Sequence, residues 1–375
     1  MAWRLVSFSL VVVVVVVVVV VPAAVEATSF KLDYLVAGDV RTDPLLGSTE
    51  VGSCLSDHVH TFYGPASRET MKPNATYEAL RAAGANSSTG NTEENLSLYW
   101  HPSIYKVTRG EDGSETYDLA PVWFASAYYV WRTGEATAFP DGFMMKATDR
   151  DPRARATSHC APEPEPCERE DPGGCEPYSR DQETESFLPL QACWELEINI
   201  KFPTCWDGQR LWSEDQSHVA WSVDCSDLTS SGSFDPECFD FDCPASHPVK
   251  LPEIHFYTRI HNYGGGAHTF SDGTDTFHAD YMSGWNSSEL QQVLDGCEND
   301  SEAASPDFFC SDFLTFRGRR KVEGVQDDAG DDGIRRDLEQ TVRPPASNTT
   351  TSWAPEPVDG IPKLPRGACT GTILL

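Results

Sequence analysis

The chain has 375 residues, 58 of them Asp or Glu and 28 Lys or Arg, for a formal net charge of −30 at pH 7. So acidic a surface excludes a protein that grips nucleic-acid phosphates or an anionic membrane through a basic stripe, because no run of Lys and Arg outweighs that field. With 39% apolar and 11% aromatic residues the composition is globular, and the length suits one large domain or two ordinary ones.

In chain order, Arg4 precedes an apolar stretch from Leu5 to Val21 that includes the unbroken valine run from Val11. The short residues Ala23, Ala24 and Ala27 follow, and Val25-Glu26-Ala27 resembles an A-x-A cleavage site, so residues 1–27 read as a signal peptide, with an uncleaved anchor as the alternative. Residues 28–317 read as a secreted domain. Its aromatic and β-branched runs, Pro121 to Trp131, Trp194 to Phe202, His218 to Val223 and Ile254 to Ile260, predict strands bounded by Gly, Pro, Asp or Ser. Only Tyr77 to Ala83 and Ser288 to Cys297 predict helices, each after a capping-type Asn or Ser. The expected fold is mostly β, a disulfide-rich sandwich or jelly-roll-like body with long loops and a few short helices. Residues 318–362 dissolve into charge clusters and then Pro, Ser and Thr, an exposed low-complexity segment, and residues 363–375 read as a return to the body pinned by Cys369.

All twelve cysteines lie beyond residue 27, an even count that suits disulfides in an oxidising compartment. No C-x2-C pair supports a thiolate zinc site, and the spacing of Cys160, Cys167 and Cys175 reads as a covalently tied insertion. Six N-x-S/T sequons, at Asn74, Asn86, Asn95, Asn286, Asn299 and Asn348, account for two thirds of the asparagines and predict N-glycosylation. The expected location is extracellular or in a cell wall, with no membrane span once the signal is removed.

Two histidine patterns carry the candidate chemistry. In an extended stretch, His58-x-His60 puts both imidazoles on one face, and His278-x-Asp280 is a second same-face pair, with His218 as a further imidazole. Converged, they would hold a divalent transition metal, with His58, His60 and His218 as ligands. Alternatively His58, His60, His218, His278 and Asp280 would work as acid/base groups on a sugar, or the histidines would be structural. Trp100, Trp206 and Trp285, with Asp207, are candidates for sugar contact, against core packing as the ordinary use of Trp. Asp57, Asp207 and Asp280 would supply paired carboxylates for glycoside hydrolysis, although the sequence does not choose a pair. Asp328, Asp332, Gly333 and Glu339 take EF-hand positions, but Gly330 stands where a ligand is required, so that run reads as solvated acid. No G-x-S-x-G elbow or phosphate-binding P-loop occurs. A histidine-brace copper site needs a histidine as the first mature residue, whereas cleavage here leaves Val25 or Thr28.

Several motifs form an ordered series from residue 34 to residue 316. They are Asp43-Pro44, Ser56-Asp57-His58-Val59-His60-Thr61, Tyr99-Trp100-His101-Pro102, Ala138-Phe139-Pro140-Asp141-Gly142-Phe143-Met144, Phe202-Pro203-Thr204-Cys205-Trp206-Asp207-Gly208, Ser217-His218-Val219-Ala220, Cys243-Pro244-Ala245-Ser246-His247-Pro248-Val249 and His278-Ala279-Asp280-Tyr281-Met282-Ser283-Gly284-Trp285. The series resembles a fungal and protist secreted family known as a domain of unknown function, number nineteen-ninety-six, found alone or beside carbohydrate-binding WSC modules. The resemblance implies secretion, disulfides and a wall or polysaccharide setting, and it carries no activity. The Cys160 to Cys175 insertion and the long charged tail depart from its pattern. The expectation is therefore a secreted glycoprotein acting on extracellular polysaccharide or wall glycan through a His/Asp site, or else a non-catalytic wall or matrix protein that binds glycan.

Overall fold

The structure is a computed structural model that describes residues 27–40, 42–45, 56, 58–65, 67, 69–122, 124–162, 183–222, 242–297 and 310–317. Residues 1–26 of the expected signal peptide, the Cys167 to Cys175 part of the insertion, the EF-hand-like run, the charged tail, Asp57 and Cys369 lie outside those residues. In chain order the strands are β1 (Ala27–Val40), β2 (His60–Tyr63), β3 (Leu98–Pro102), β4 (Ile104–Arg109), β5 (Glu115–Leu119), β6 (Phe124–Arg132), β7 (Met144–Thr148), β8 (Thr157–Ala161), β9 (Cys193–Lys201), β10 (Cys205–Trp206), β11 (Val219–Ala220), β12 (Val249–Lys250), β13 (Glu253–Tyr263), β14 (His268–Phe270) and β15 (His278–Met282). The helices are α1 (Tyr77–Ala83) and α2 (Ser287–Gly296).

Nine strands form one antiparallel sheet in the order β7-β15-β3-β2-β1-β6-β13-β9-β8. Strand β1 is the corner. Its first nine residues pair with β6, from Ala27 opposite Arg132 to Leu35 opposite Phe124. Its last residues pair with β2, from Val36 opposite Tyr63 to Val40 opposite His60, with a register irregularity between Val36 and Gly38. A bulge of this kind bends a strand and sharpens its twist. The sheet folds over there, so that the inner faces of β7-β15-β3-β2 and β6-β13-β9-β8 meet as a sandwich. Tyr99 on β3 stacks on Phe256 of β13 with ring centroids 5.5 Å apart, and the Tyr63 and Thr258 hydroxyls lie 2.9 Å apart across the same gap.

The sequence of β1 explains its place in this core. Phe30, Leu32 and Tyr34 alternate inward, with relative exposures of 1% or less, while Ser29, Lys31 and Asp33 point to the other face. Tyr99, Tyr129 and Tyr281 share the interior, where the Tyr99 and Tyr129 hydroxyls are 2.6 Å apart and the Trp285 indole N–H donates to Tyr129 Oη at 3.1 Å. Polar tips that bond to one another let large rings fill a core without leaving orphaned groups.

A second, smaller core lies on the outer face of the β2, β3 and β15 region. Phe62, Leu98, Trp100 and Met282 face outward, and Leu45, Met71, Ala75 and Leu80 of α1 cover them. The helix α1 matches its expected span, but its N-cap is Thr76, whose side chain accepts from the Ala79 amide. Helix α2 is capped by Asn286, whose side chain accepts from the Ser288 and Glu289 amides. Three disulfides join described residues: Cys160–Cys193 between β8 and β9, Cys205–Cys243 beside β12, and Cys297–Cys310 beyond α2.

The mostly β, sandwich-like expectation therefore holds. Of the expected strands, three become β6, β9 and β13, while the described part of His218 to Val223 contributes the two-residue β11.

Candidate functional site

The face that carries the second core also carries the histidines. Register places His60 opposite Pro102, Phe62 opposite Trp100, Trp100 opposite Asp280, and Lys146 opposite Asp280. Because side chains alternate along each strand, His60, Phe62, Trp100, Asp280, His278 and Lys146 all project to that face. His58 lies in a bend just before β2 and not in extended strand, yet its ring still meets the others. The ring centroids are 4.2 Å apart for His58 and His60, 5.4 Å for His58 and His278, and 6.0 Å for His60 and His278. One nitrogen from each of the three rings lies within 4.8 Å of the others.

The electrostatics of the cluster follow from burial. His60 is fully buried, and its Nδ1 lies 2.8 Å from the carbonyl oxygen of Thr42, which can only accept, so Nδ1 carries the proton. Burial, followed by the neighbouring His58 charge, holds the His60 pKa well below the ordinary value for an imidazole. His278 is depressed likewise, by burial and then by the positive charge of Lys146. Burial pushes the Asp280 carboxyl up to about 8, against the pull of Lys146, whose Nζ is 4.0 Å from Oδ1. Asp280 Oδ2 is 3.7 Å from His278 Nε2, too far for a hydrogen bond. Among the described residues His60 Nε2, His278 Nε2 and both Asp280 oxygens are buried with no hydrogen-bond partner. Asp43 borders the cluster and accepts from the Leu45 amide at 2.9 Å, its carboxyl raised by burial.

Two kinds of chemistry suit this arrangement. A protonated carboxyl beside neutral imidazoles pairs a proton donor with proton acceptors, as acid/base work on a sugar requires. Three imidazoles and one carboxylate also make a ligand set for a transition metal.

The remaining expected site residues lie elsewhere. His218 is not the third imidazole, and His278 takes that place. In His218 Nδ1 is 2.8 Å from Ser213 Oγ and Nε2 is 2.7 Å from the Met144 carbonyl, so both ring nitrogens are committed. Trp100 and Trp285 are fully buried, the first stacked on Phe62 and the second bonded to Tyr129, so neither offers a face to a sugar. Trp206 is half-buried and donates to the Arg210 carbonyl at 2.7 Å. Asp207 closes a turn. It accepts from the Gln209 and Arg210 amides and from the Arg210 guanidinium. Burial would raise its carboxyl, and those donors outweigh burial and hold it at about 2.

Of the sequons, Asn74 and Asn86 are exposed and Asn286 is half-buried, while Asn299 and Asn348 lie outside the described residues. Asn95 is fully buried and its amide donates to Tyr34 Oη at 2.6 Å, so a glycan on that nitrogen is incompatible with this fold.

Lys146, Asp43 and the Thr42 carbonyl were not anticipated as site groups. Asp43-Pro44 carries a motif-level signal, whereas Lys146 sits in Met-Met-Lys-Ala-Thr and nothing in that run distinguishes it from a surface lysine.

A family model described as a domain of unknown function, DUF1996, matches residues 43–285, about two thirds of the chain. The protein belongs to the DUF1996 family. The matched region contains Asp43, His58, His60, Lys146, His278 and Asp280, so the whole cluster lies within the DUF1996 domain. No curated protein and no solved structure matches this DUF1996 chain.

Proposed function

We propose that this DUF1996 protein is a secreted, N-glycosylated protein that acts on cell-wall or other extracellular polysaccharide, with its reactive centre at His58, His60, His278 and Asp280. The observation that carries the reading is the convergence of the three imidazoles, from β2, the bend before it and β15, into one cluster with Asp280 beside His278. Buried imidazoles and carboxylates without hydrogen bonds are costly to a fold, and such groups concentrate where a site uses them. The three disulfides fit an extracellular setting, and among the described residues no helix is long and apolar enough to cross a membrane. The polysaccharide substrate class rests on the sequence motifs and on the high acidity, which counts modestly against anionic polymers and so favours neutral ones.

A second reading has an observation of its own. Trp100 and Trp285 are buried, and so are His60, His278 and Asp280, which suits a non-catalytic wall or matrix protein whose histidine cluster serves the fold.

One assay separates the two. Purified protein is incubated with insoluble wall polysaccharides, with and without a chelator, and both depletion onto the solid and release of soluble oligosaccharide are scored. Release that Asp280→Asn abolishes is the expected result. Depletion with no release from any polysaccharide would favour the second reading, and neither depletion nor release would remove the glycan assignment.

A further inference from the structure

We propose that His58, His60, His278 and Asp280 are the four protein ligands of one divalent first-row transition ion, with zinc as the best fit to three imidazole nitrogens and one carboxylate oxygen. This ligand set differs from the one expected in the sequence, with His278 in place of His218 and Asp280 added.

The argument begins with how this chain treats its other buried histidines. His101 places Nε2 at 2.9 Å from Tyr63 Oη and Nδ1 at 2.8 Å from the Pro102 carbonyl. His218 likewise has a partner at each nitrogen. Both are buried and both are satisfied. His60 and His278 are buried as well, yet each has an Nε2 with no hydrogen-bond partner among the described residues, and the two oxygens of Asp280 share that condition a few ångströms away. A fold that satisfies His101 and His218 leaves these four buried polar atoms together here with no hydrogen bond among them, and a bound cation would take the place of the Asp280 proton. A cation is the species that satisfies several converging lone pairs at once.

The orientation of His60 agrees. Its Nδ1–H donates to the Thr42 carbonyl, which fixes the ring and turns the Nε2 lone pair toward the cluster, the outer-shell arrangement that metal-bound imidazoles use. Three nitrogen donors exclude calcium and magnesium, which take oxygen ligands, and favour zinc or its first-row neighbours. The described cysteines do not compete for the ion, because all six are in disulfides.

Lys146 is the lysine beside the site among the described residues. Its side chain keeps 36% exposure, so its ammonium can lie in water when an ion occupies the centre. The histidine nitrogens spread over as much as 4.8 Å, looser than the ~3.4 Å edges of a tetrahedron built on bonds of about 2.1 Å. Loading therefore draws the ligands together. His58 sits on a bend, whereas His60 and His278 are set in β2 and β15. Asp280 acts here as a ligand and not as a proton donor.

The test uses the full chain, stripped with a chelator and titrated with Zn2+ and with Co2+, read by metal analysis, by the visible absorption of bound cobalt and by thermal unfolding. Wild type is expected to take up one equivalent, to unfold at higher temperature when loaded, and to give cobalt bands of a low-coordinate nitrogen/oxygen site. His60→Ala and His278→Ala are expected to lose affinity by on the order of 100-fold, and His247→Ala, at an imidazole outside the cluster, to keep it. If the alanine variants fail to fold, Asp280→Asn, which keeps the shape of the side chain, reports the same loss. Wild type that binds no equivalent, or that binds no more tightly than Asp280→Asn, overturns the proposal. Metal binding is read without any polysaccharide, so a loaded protein that leaves every glycan intact would overturn the glycan reading alone.

Discussion

Thr42 gives the cluster only a carbonyl oxygen, yet that oxygen decides which nitrogen of His60 faces the other ligands. The pair His58-x-His60 and the pair His278-x-Asp280 were legible in the sequence because alternation along a strand is a local property. That the two pairs meet depends on β2 and β15 both pairing with β3, which no local pattern states. His218 was misplaced for the same reason: a histidine beside a strand reads alike whether its nitrogens meet Ser213 and Met144 or an ion.

Asp280 supplies a test at this scale. In the folded, metal-free chain its carboxyl holds its proton up to about pH 8, whereas an unfolded Asp releases it near 4. As pH rises between those values the unfolded state becomes favoured, at the limit by about 1.4 kcal/mol per pH unit, so this group's stabilising share is present below pH 4 and is lost by pH 8. Asp280→Asn removes the ionisable group. Chelator-treated Asp280→Asn should be more stable than chelator-treated wild type at pH 7, and the gap should close as pH falls toward 4, as measured by urea denaturation. A gap that does not change with pH would refute the assignment of a raised carboxyl.

At the scale of elements, the site depends on how closely β15 and the turn into α2 approach the chain before β3. Gly284 lies in that turn, and its amide donates to Ser97 Oγ at 3.0 Å. A Cβ at Gly284 would lie 1.9 Å from the Leu96 carbonyl oxygen and 2.7 Å from the Ser97 nitrogen, contacts with backbone that no rotamer relieves. Gly284→Ala should therefore force the two segments apart, at a cost of at least about 3 kcal/mol, and lower the midpoint of thermal unfolding by many degrees. A midpoint equal to that of wild type would contradict the close packing.

Elements with strong local signals, such as α1, α2, β6, β9 and β13, were readable from the sequence. The corner strand β1 was not singled out, although Phe30, Leu32 and Tyr34 alternate with Ser29, Lys31 and Asp33. Its pattern marks a strand but says nothing of the change of partner at Val36, and that change turns one sheet into two packed layers. Strands β2, β3 and β15 are short and carry apolar or aromatic residues on both faces, so alternation between wet and dry faces gave little signal.

For the whole molecule, composition and cysteines made a disulfide-tied β-sandwich legible, because those are sums over the chain. The second core on the outer face was not legible. It requires Leu45, Met71 and Leu80 to fold back over Phe62 and Trp100, and it turns Trp100, a candidate for sugar contact in the sequence, into packing. The same cover places the four proposed ligands in a low-dielectric setting beside it, where lone pairs need a partner and a bound ion would tie the segment at Thr42 to the sheet. The most direct test of this centre is X-ray absorption at the zinc edge on the full chain loaded with one equivalent of Zn2+. Three imidazole nitrogens and one oxygen at about 2.1 Å are predicted. A first shell of water oxygens alone, or one containing sulfur, would contradict the centre described here.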